Sequence, residues 1–269
     1  MDDMPNYGNP PVSEVAIGFQ YTDLDLAAAQ VGLYWSYIRE HFPGLSQHPP
    51  IMHIVEPDVI QAGPPIRVHL QFRESPGFPR TWFVSAHGDR LIQLQPDRFL
   101  HNWRKVEPGD AYPRFPCVRD EFFKQWERFC TFLQEQSMPA PQIDQCELTY
   151  VNTMAQGTEW KTIADLATLV LPCPWDTRER FLPLPETFAW SAKFRLPESK
   201  GRLHVDLSVP PLDSKQDEPI RLALTARGIP SVVDDQHLRE WFEMARIWIV
   251  KGFEDIVHPH TDTLWGKIK

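Results

Sequence analysis

The chain has 269 residues, 42% of them hydrophobic, and its ten Trp and sixteen Phe supply large anchors, which excludes a disordered chain and a small stapled scaffold. Its formal net charge of -9 repels phosphate backbones and anionic membrane surfaces, so nucleic acid is disfavoured as a partner unless a local basic patch overrides the total. Cys117, Cys130, Cys146 and Cys173 lack CxxC or metal spacing, MDDMPNYGNPPVSEV carries no export signal, and no apolar run reaches the roughly 18 residues of a membrane span, so a soluble cytoplasmic protein with reduced thiols is expected.

In chain order, VAIGFQY at 15–21 puts Val15, Ile17, Phe19 and Tyr21 on one face at period two, the mark of a half-buried strand. Asp23 or Asp25 is then placed to cap a helix whose apolar stripe runs Val31, Tyr34, Trp35, Ile38 and Phe42, ended by Pro43 and Gly44. After a Pro-rich passage, IRVHLQF at 66–72, TWFVSA at 81–86 and LIQLQ at 91–95 read as three strands in meander order. The stripe Val118, Phe122, Trp126, Phe129 and Leu133 predicts a helix, with Asp120 and Glu121 near its positive end.

The second half repeats that order. QCELTYVNTM at 145–154 is a strand, Thr162 to Leu169 a short helical stretch, and FAWSAKFRL, GRLHVDLSV and IRLALTAR are three strands. A last long helix carries Leu238, Trp241, Phe242, Ala245, Trp248, Ile249, Phe253 and Ile256, with Asp234 or Asp235 as N-cap. The expected class is therefore α+β, built from two tandem βαβββα units over residues 1–140 and 141–269. Such units either join their sheets into a saddle or face each other across a groove. This arrangement resembles the duplicated architecture of TATA-binding-protein-like and gyrase-inhibitor-like ligand-binding domains, an analogy of fold that does not fix function.

Four patches in order, PPVSEVAIGFQY, QLQPDRFLHNWRK with YPRF at 112–115, CELTYVNTM, and the closing LWGKI, resemble a family of sporadically distributed bacterial and archaeal proteins of unknown function. The resemblance spans most of the chain. It implies a prokaryotic cytoplasmic origin and, from the family's patchy occurrence, a mobile or defence-related setting; it implies no catalytic residues.

Candidate chemistry concentrates in LIQLQPDRFLHNWRK, residues 91–105, read as a run that continues a strand. If 98–104 is extended, Arg98, Asn102 and Arg104 leave the backbone opposite Phe99 and Trp103. The aromatic side then faces the core, and Arg98, Asn102, Arg104 and Lys105 form a partner-binding edge suited to an anion or peptide. His204 and Asp206 share a strand face as paired metal ligands do, and His258, His260 and Asp262 form an HxHxD cluster. Short histidine clusters are more often solvated, and no metal or other cofactor is expected. Tyr150 and Asn152 share a face and suit a pocket wall. No GxSxG, HExxH, GxGxxG or P-loop occurs, and 13 Gly supply few phosphate-cradling loops, so an enzyme is disfavoured.

The expected function is a non-catalytic binding or accessory protein holding a protein or peptide partner, with a small-molecule ligand and self-association left open. The alternatives are a metal-dependent hydrolase using His204, Asp206 and the C-terminal histidines, or a nucleic-acid-binding regulator with Arg98, Arg104, Lys105, Arg114 and Arg119 as its basic stripe. The apolar ending TLWGKI predicts a buried Trp265.

Overall fold

A computed structural model describes residues 4–56, 79–171, 185–211 and 218–268. The class is α+β: nine strands form one sheet whose pairings are all antiparallel, in the order β2-β3-β4-β5-β1-β6-β9-β8-β7. The first half of the chain supplies β1 (Val12–Tyr21), α1 (Ala28–Ile38), β2 (Gly44–His48), β3 (Arg80–Val84), β4 (Arg90–Gln95), β5 (Arg98–Arg104) and α2 (Phe115–Glu135). The second supplies β6 (Ile143–Met154), a 3-10 turn at Ile163–Asp165, α3 (Leu166–Leu169), β7 (Phe188–Arg195), β8 (Arg202–Val209), β9 (Ile220–Gly228), α4 (Asp235–Ile256) and α5 (Thr261–Leu264). The first strand of each half, β1 and β6, pair at the centre, with Ile17 opposite Leu148.

Alternation along β1 sends Val15, Ile17, Phe19 and Tyr21 to one face, all fully buried. Helix α2 lies on β1 and β5, and α4 on β6, β8 and β9. Phe19 is the hub: its ring lies 5.0 Å from Phe122 and 4.9 Å from Trp126 of α2, and 5.6 Å from Phe242 of α4. Edge-to-face and tilted geometries prevail in this cluster because ring quadrupoles favour them, and each buried ring contributes roughly 1.5–3 kcal/mol through the hydrophobic effect. Tyr34 of α1 closes the cluster against Phe83 and Phe129. Trp265 is 2% exposed, its indole N–H donating to Glu159 Oε1 at 2.7 Å, and the strand-like ladder of Gly8 and Asn9 onto Gly266 and Trp265 holds the last residues in place.

Several expectations need correction. Residues 91–105 are a hairpin rather than one continued strand: β4 ends at Gln95, Pro96 and Asp97 turn the chain, and Gln95 pairs back onto Arg98. The Pro-Asp pair is a turn signal that outweighs the apolar pattern on either side. Neither Asp23 nor Asp25 caps α1. Asp23 instead accepts from the Asp25 amide at 2.8 Å in a local turn, and the helix begins three residues later, with Gln30 Oε1 accepting from the Ala27 amide. For α4 the expected cap is present, as Asp234 accepts from the His237 amide at 2.9 Å. Strand β2 was not anticipated, because GLSQH is short and polar with no alternation of apolar residues. IRVHLQF at 66–72 and Cys173 lie outside the described residues.

Where β8 begins and β9 ends, two glycines press main chain against main chain. A Cβ on Gly201, whose φ is +127°, would lie 1.9 Å from the Arg227 carbonyl oxygen, and a Cβ on Gly228 would lie 1.9 Å from that of Lys200.

Candidate functional site

The same alternation that buries Phe19 and Phe99 turns their neighbours Gln20 and Arg98 to the sheet face away from the helices. That face is polar and nonetheless buried along its middle: Gln20 is 0% exposed, Arg98 2%, Gln95 3% and Gln145 1%. Residues 51–56, IMHIVE, cross the strands on this side and are held by their peptide groups. Gln95 of β4 brackets Ile51, its Oε1 accepting from the Ile51 amide at 2.7 Å and its Nε2 donating to the Ile51 carbonyl at 3.0 Å. Arg98 of β5 donates to the Met52 carbonyl at 3.0 Å. Gln20 of β1 accepts from the Ile54 amide at 3.0 Å, and Gln145 of β6 donates to the Ile54 carbonyl and accepts from the Glu56 amide at 2.8 Å.

The strap ends in a charge site. The Glu56 carboxylate meets Arg202 Nη1 at 3.2 Å and His204 Nε2 at 2.5 Å, both on β8. Burial pushes its carboxyl up, but the hydrogen bonds and charges of His204 and Arg202 outweigh that, and its pKa is net lowered. From β4 to β8 the strap passes five inter-strand gaps of about 4.8 Å each. Six extended residues reach roughly 20 Å, and the side chains of Gln95 and Glu56 close the remainder. The side chains of Met52, Ile54 and Val55 stay exposed, whereas His53 reaches Asp97 at 3.2 Å and Asp144 at 3.9 Å, so the sheet reads the backbone, one imidazole and one carboxylate.

Beneath the strap, Glu147 gathers the charges, its Oε2 lying 3.6 Å from Arg98 and 3.1 Å from Arg227 Nε and accepting from Gln20 Nε2 at 3.4 Å. Burial lowers the Arg98 pKa and Glu147 opposes it; the guanidinium stays charged. Two cations on one buried carboxylate satisfy the charge that burial would otherwise penalise.

Of the expected partner-binding residues, Arg98 is covered by this arrangement and Asn102 is 1% exposed, with Gln93 donating to its Oδ1 at 2.9 Å and its own Nδ2 donating to Glu14. Arg104 is half-buried and donates to the Gly88 carbonyl at 2.6 Å, and Lys105 is half-buried at the strand end. On the other side of β5, Phe99 stacks 5.1 Å from Phe129 and Trp103 lies 5.2 Å from Tyr112, the split that alternation predicts. The basic stripe is not brought together: Arg104 leaves the sheet away from the helices, whereas Arg119 on α2 is ion-paired with Asp120 and Glu243, and Arg114 donates to the Tyr7 carbonyl at α2's start.

His204 and Asp206 do share a face, but His204 is engaged with Glu56 while Asp206 is exposed. His258 follows α4 in the helical layer, where its Nδ1 accepts from the His260 amide. Among the described residues no three His, Cys, Asp or Glu side chains come together as a metal site requires. Gln20, Gln95, Gln145, Glu56 and Arg202 were missed by sequence reasoning. The available signal was a glutamine near the end of each of three otherwise apolar strands, in FQY, QLQ and DQC, where a solvated surface would more commonly place a charge. No helix among the described residues is long and apolar enough to cross a membrane. No family model and no curated protein matches the chain, so the family resemblance rests on the four patches alone.

Proposed function

We propose that the protein is a non-catalytic binding or accessory protein that holds a protein partner by an extended segment of that partner, laid across the polar sheet face where residues 51–56 lie. The observation that carries this reading is the capture of peptide N–H and C=O groups by Gln20, Gln95, Gln145 and Arg98. Main-chain capture supplies affinity with little demand on sequence, and the Arg202 and His204 pair supplies register through one acidic residue. The partner segment displaces the strap.

The reading includes a tandem origin, with residues 1–140 and 141–269 as two βαβββα units joined saddle-fashion through their first strands. Its support is the matching of β1, β5, β4 and β3 by β6, β9, β8 and β7 outward from the centre, with α2 and α4 over corresponding strands. Among the described residues the halves differ in that α1 has 11 residues where α3 has 4, and β2 extends only the first half. We place the protein in the cytoplasm, where the free thiols at Cys117, Cys130 and Cys146 are at home, and, by its resemblance alone, in a bacterial, defence-related assembly.

The test uses a variant in which residues 51–56 are replaced by Gly and Ser, and a labelled peptide HPPIMHIVE followed by fluorescence anisotropy. The peptide is expected to bind the variant saturably, and changing its Glu to Gln should weaken binding about tenfold, the loss of one charge-assisted contact. No binding at roughly 1 mM peptide to a variant that melts cooperatively would sink the reading.

A further inference from the structure

On the helix side of the sheet, away from the strap, a cavity of about 390 Å³ lies between residues 4–12, the first turn of α2 and the middle of α4. That size falls within the roughly 300–1,000 Å³ of small-molecule sites. Its walls are apolar, formed by Pro5, Pro10, Phe115, Ile249, Val250 and Phe253. Among the described residues the lining also includes Arg114 and Arg246 and no acidic residue, in a chain whose formal net charge is -9. The adjoining α2 terminus has no acidic residue in its first turn to offset the positive end of the helix dipole.

Arg246 has a distant partner, Glu243 Oε2 at 3.6 Å, and Glu243 is shared with Arg119. The floor carries Tyr112 and Tyr150, whose hydroxyls are 2.8 Å apart. Burial pushes the Tyr112 phenol up to about 12, against the pull of its hydrogen bond to Tyr150 and of Arg246 and Arg114, so it is protonated at neutral pH. Within such a pair one O–H donates to the other oxygen, and the second proton remains to be donated elsewhere.

We propose that this cavity binds a small amphipathic acid, an apolar body ending in one carboxylate, with the carboxylate at Arg246 and the Tyr112–Tyr150 hydroxyls and the body against Phe115, Val250 and Phe253. Arg114 and Arg246, the latter held only loosely by a Glu243 that Arg119 shares, repel an amine and leave an alcohol without its strongest contact. The site is independent of the strap, so either assignment can fail alone.

Calorimetric titration of the full chain with decanoate and decylamine below their micellar concentrations and decan-1-ol below its solubility limit tests this. Decanoate should bind one-to-one, decanol at least tenfold more weakly, and decylamine not at all. Arg246→Met should weaken decanoate at least tenfold and leave decanol unchanged, and Tyr112→Phe should weaken decanoate several-fold. Val250→Trp, which fills the cavity from a half-buried position, should abolish binding of both. Equal binding of decanol and decanoate, undiminished decanoate binding in both Arg246→Met and Tyr112→Phe, or retained binding in Val250→Trp would each overturn the assignment. Should Arg246→Met fail to fold, Tyr112→Phe and Val250→Trp decide the matter.

Discussion

Phe99 and Arg98 are adjacent on one strand, and both are buried, but they are buried by different means. Phe99 is covered by α2, where any well-shaped apolar surface would serve, because the hydrophobic effect is non-directional. Arg98 is covered by a strap that must present a carbonyl at one place and by a carboxylate at another. The helix-bearing face therefore gains stability from area, at roughly 1.5–3 kcal/mol per large side chain. The polar face gains only about 0.5–1.5 kcal/mol net per hydrogen bond, yet leaving its groups dry and unpaired would cost more than that. One face is made to stay closed, and the other, in the function proposed above, exchanges its cover for another peptide of the same chemistry.

The sharpest way to break this contrast is Phe99→Ala. It should lower unfolding stability by about 3–5 kcal/mol in a urea titration, since a cavity opens amid Phe122, Trp126 and Phe129. A loss below about 1 kcal/mol would show that the helix face does not depend on close packing.

His101 sharpens the contrast, because it is a titratable group on the apolar face. It is 1% exposed, and burial, opposed by Glu121, pulls its pKa from 6.5 to about 4, with Arg90 adding to the fall and Asp89 opposing it. The unfolded chain thus binds more protons than the folded one between these values. Stability is complete above the ordinary histidine pKa and is lost as pH falls through the window toward 4, by up to about 3 kcal/mol. His101→Gln should flatten this acid limb in urea titrations at pH 7.5 and 4.5. An unchanged limb would assign the acid sensitivity to other groups.

The smallest effect is expected on the polar face. Gln95→Ala combined with Gln145→Ala removes four hydrogen bonds to Ile51, Ile54 and Glu56, and because the exposed strap lets water reach the freed groups each should cost only about 0.5 kcal/mol, about 2 kcal/mol together. Hydrogen exchange should nonetheless lose protection at the Ile51 and Glu56 amides while the amides of β1 and β6 keep theirs. A uniform loss across the sheet would mean that the strap is an integral layer and not an exchangeable cover.

Local periodicity made much of this architecture legible. Alternation gave the opposed directions of Phe99 and Arg98, the 3.6-residue stripes gave α2 and α4, and an apolar ending gave a buried Trp265. The strap was not legible for a physical reason: its contacts join residues 34 to 91 positions apart, and those of Glu56 with Arg202 and His204 span 146 and 148. No local pattern encodes such pairings. His204 and Asp206 were correctly placed on one face by spacing alone, but spacing holds no information about Glu56. The hairpin at Pro96 and Asp97 was readable from turn chemistry and was masked by apolar residues on both sides.

The contact of Gly201 with Gly228 limits how the carboxylate site next to it can change over evolutionary time. Each glycine is hemmed in by the other strand's main chain, so a side chain gained at either position meets an obstacle that no second side-chain replacement removes. The two positions behave as one heritable unit without a compensating partner, and Arg202 follows directly on Gly201. Met52, Ile54 and Val55, whose side chains are exposed, are free to drift, whereas the place where the sheet receives an acid is held in register by a constraint that is invisible in the side chains themselves.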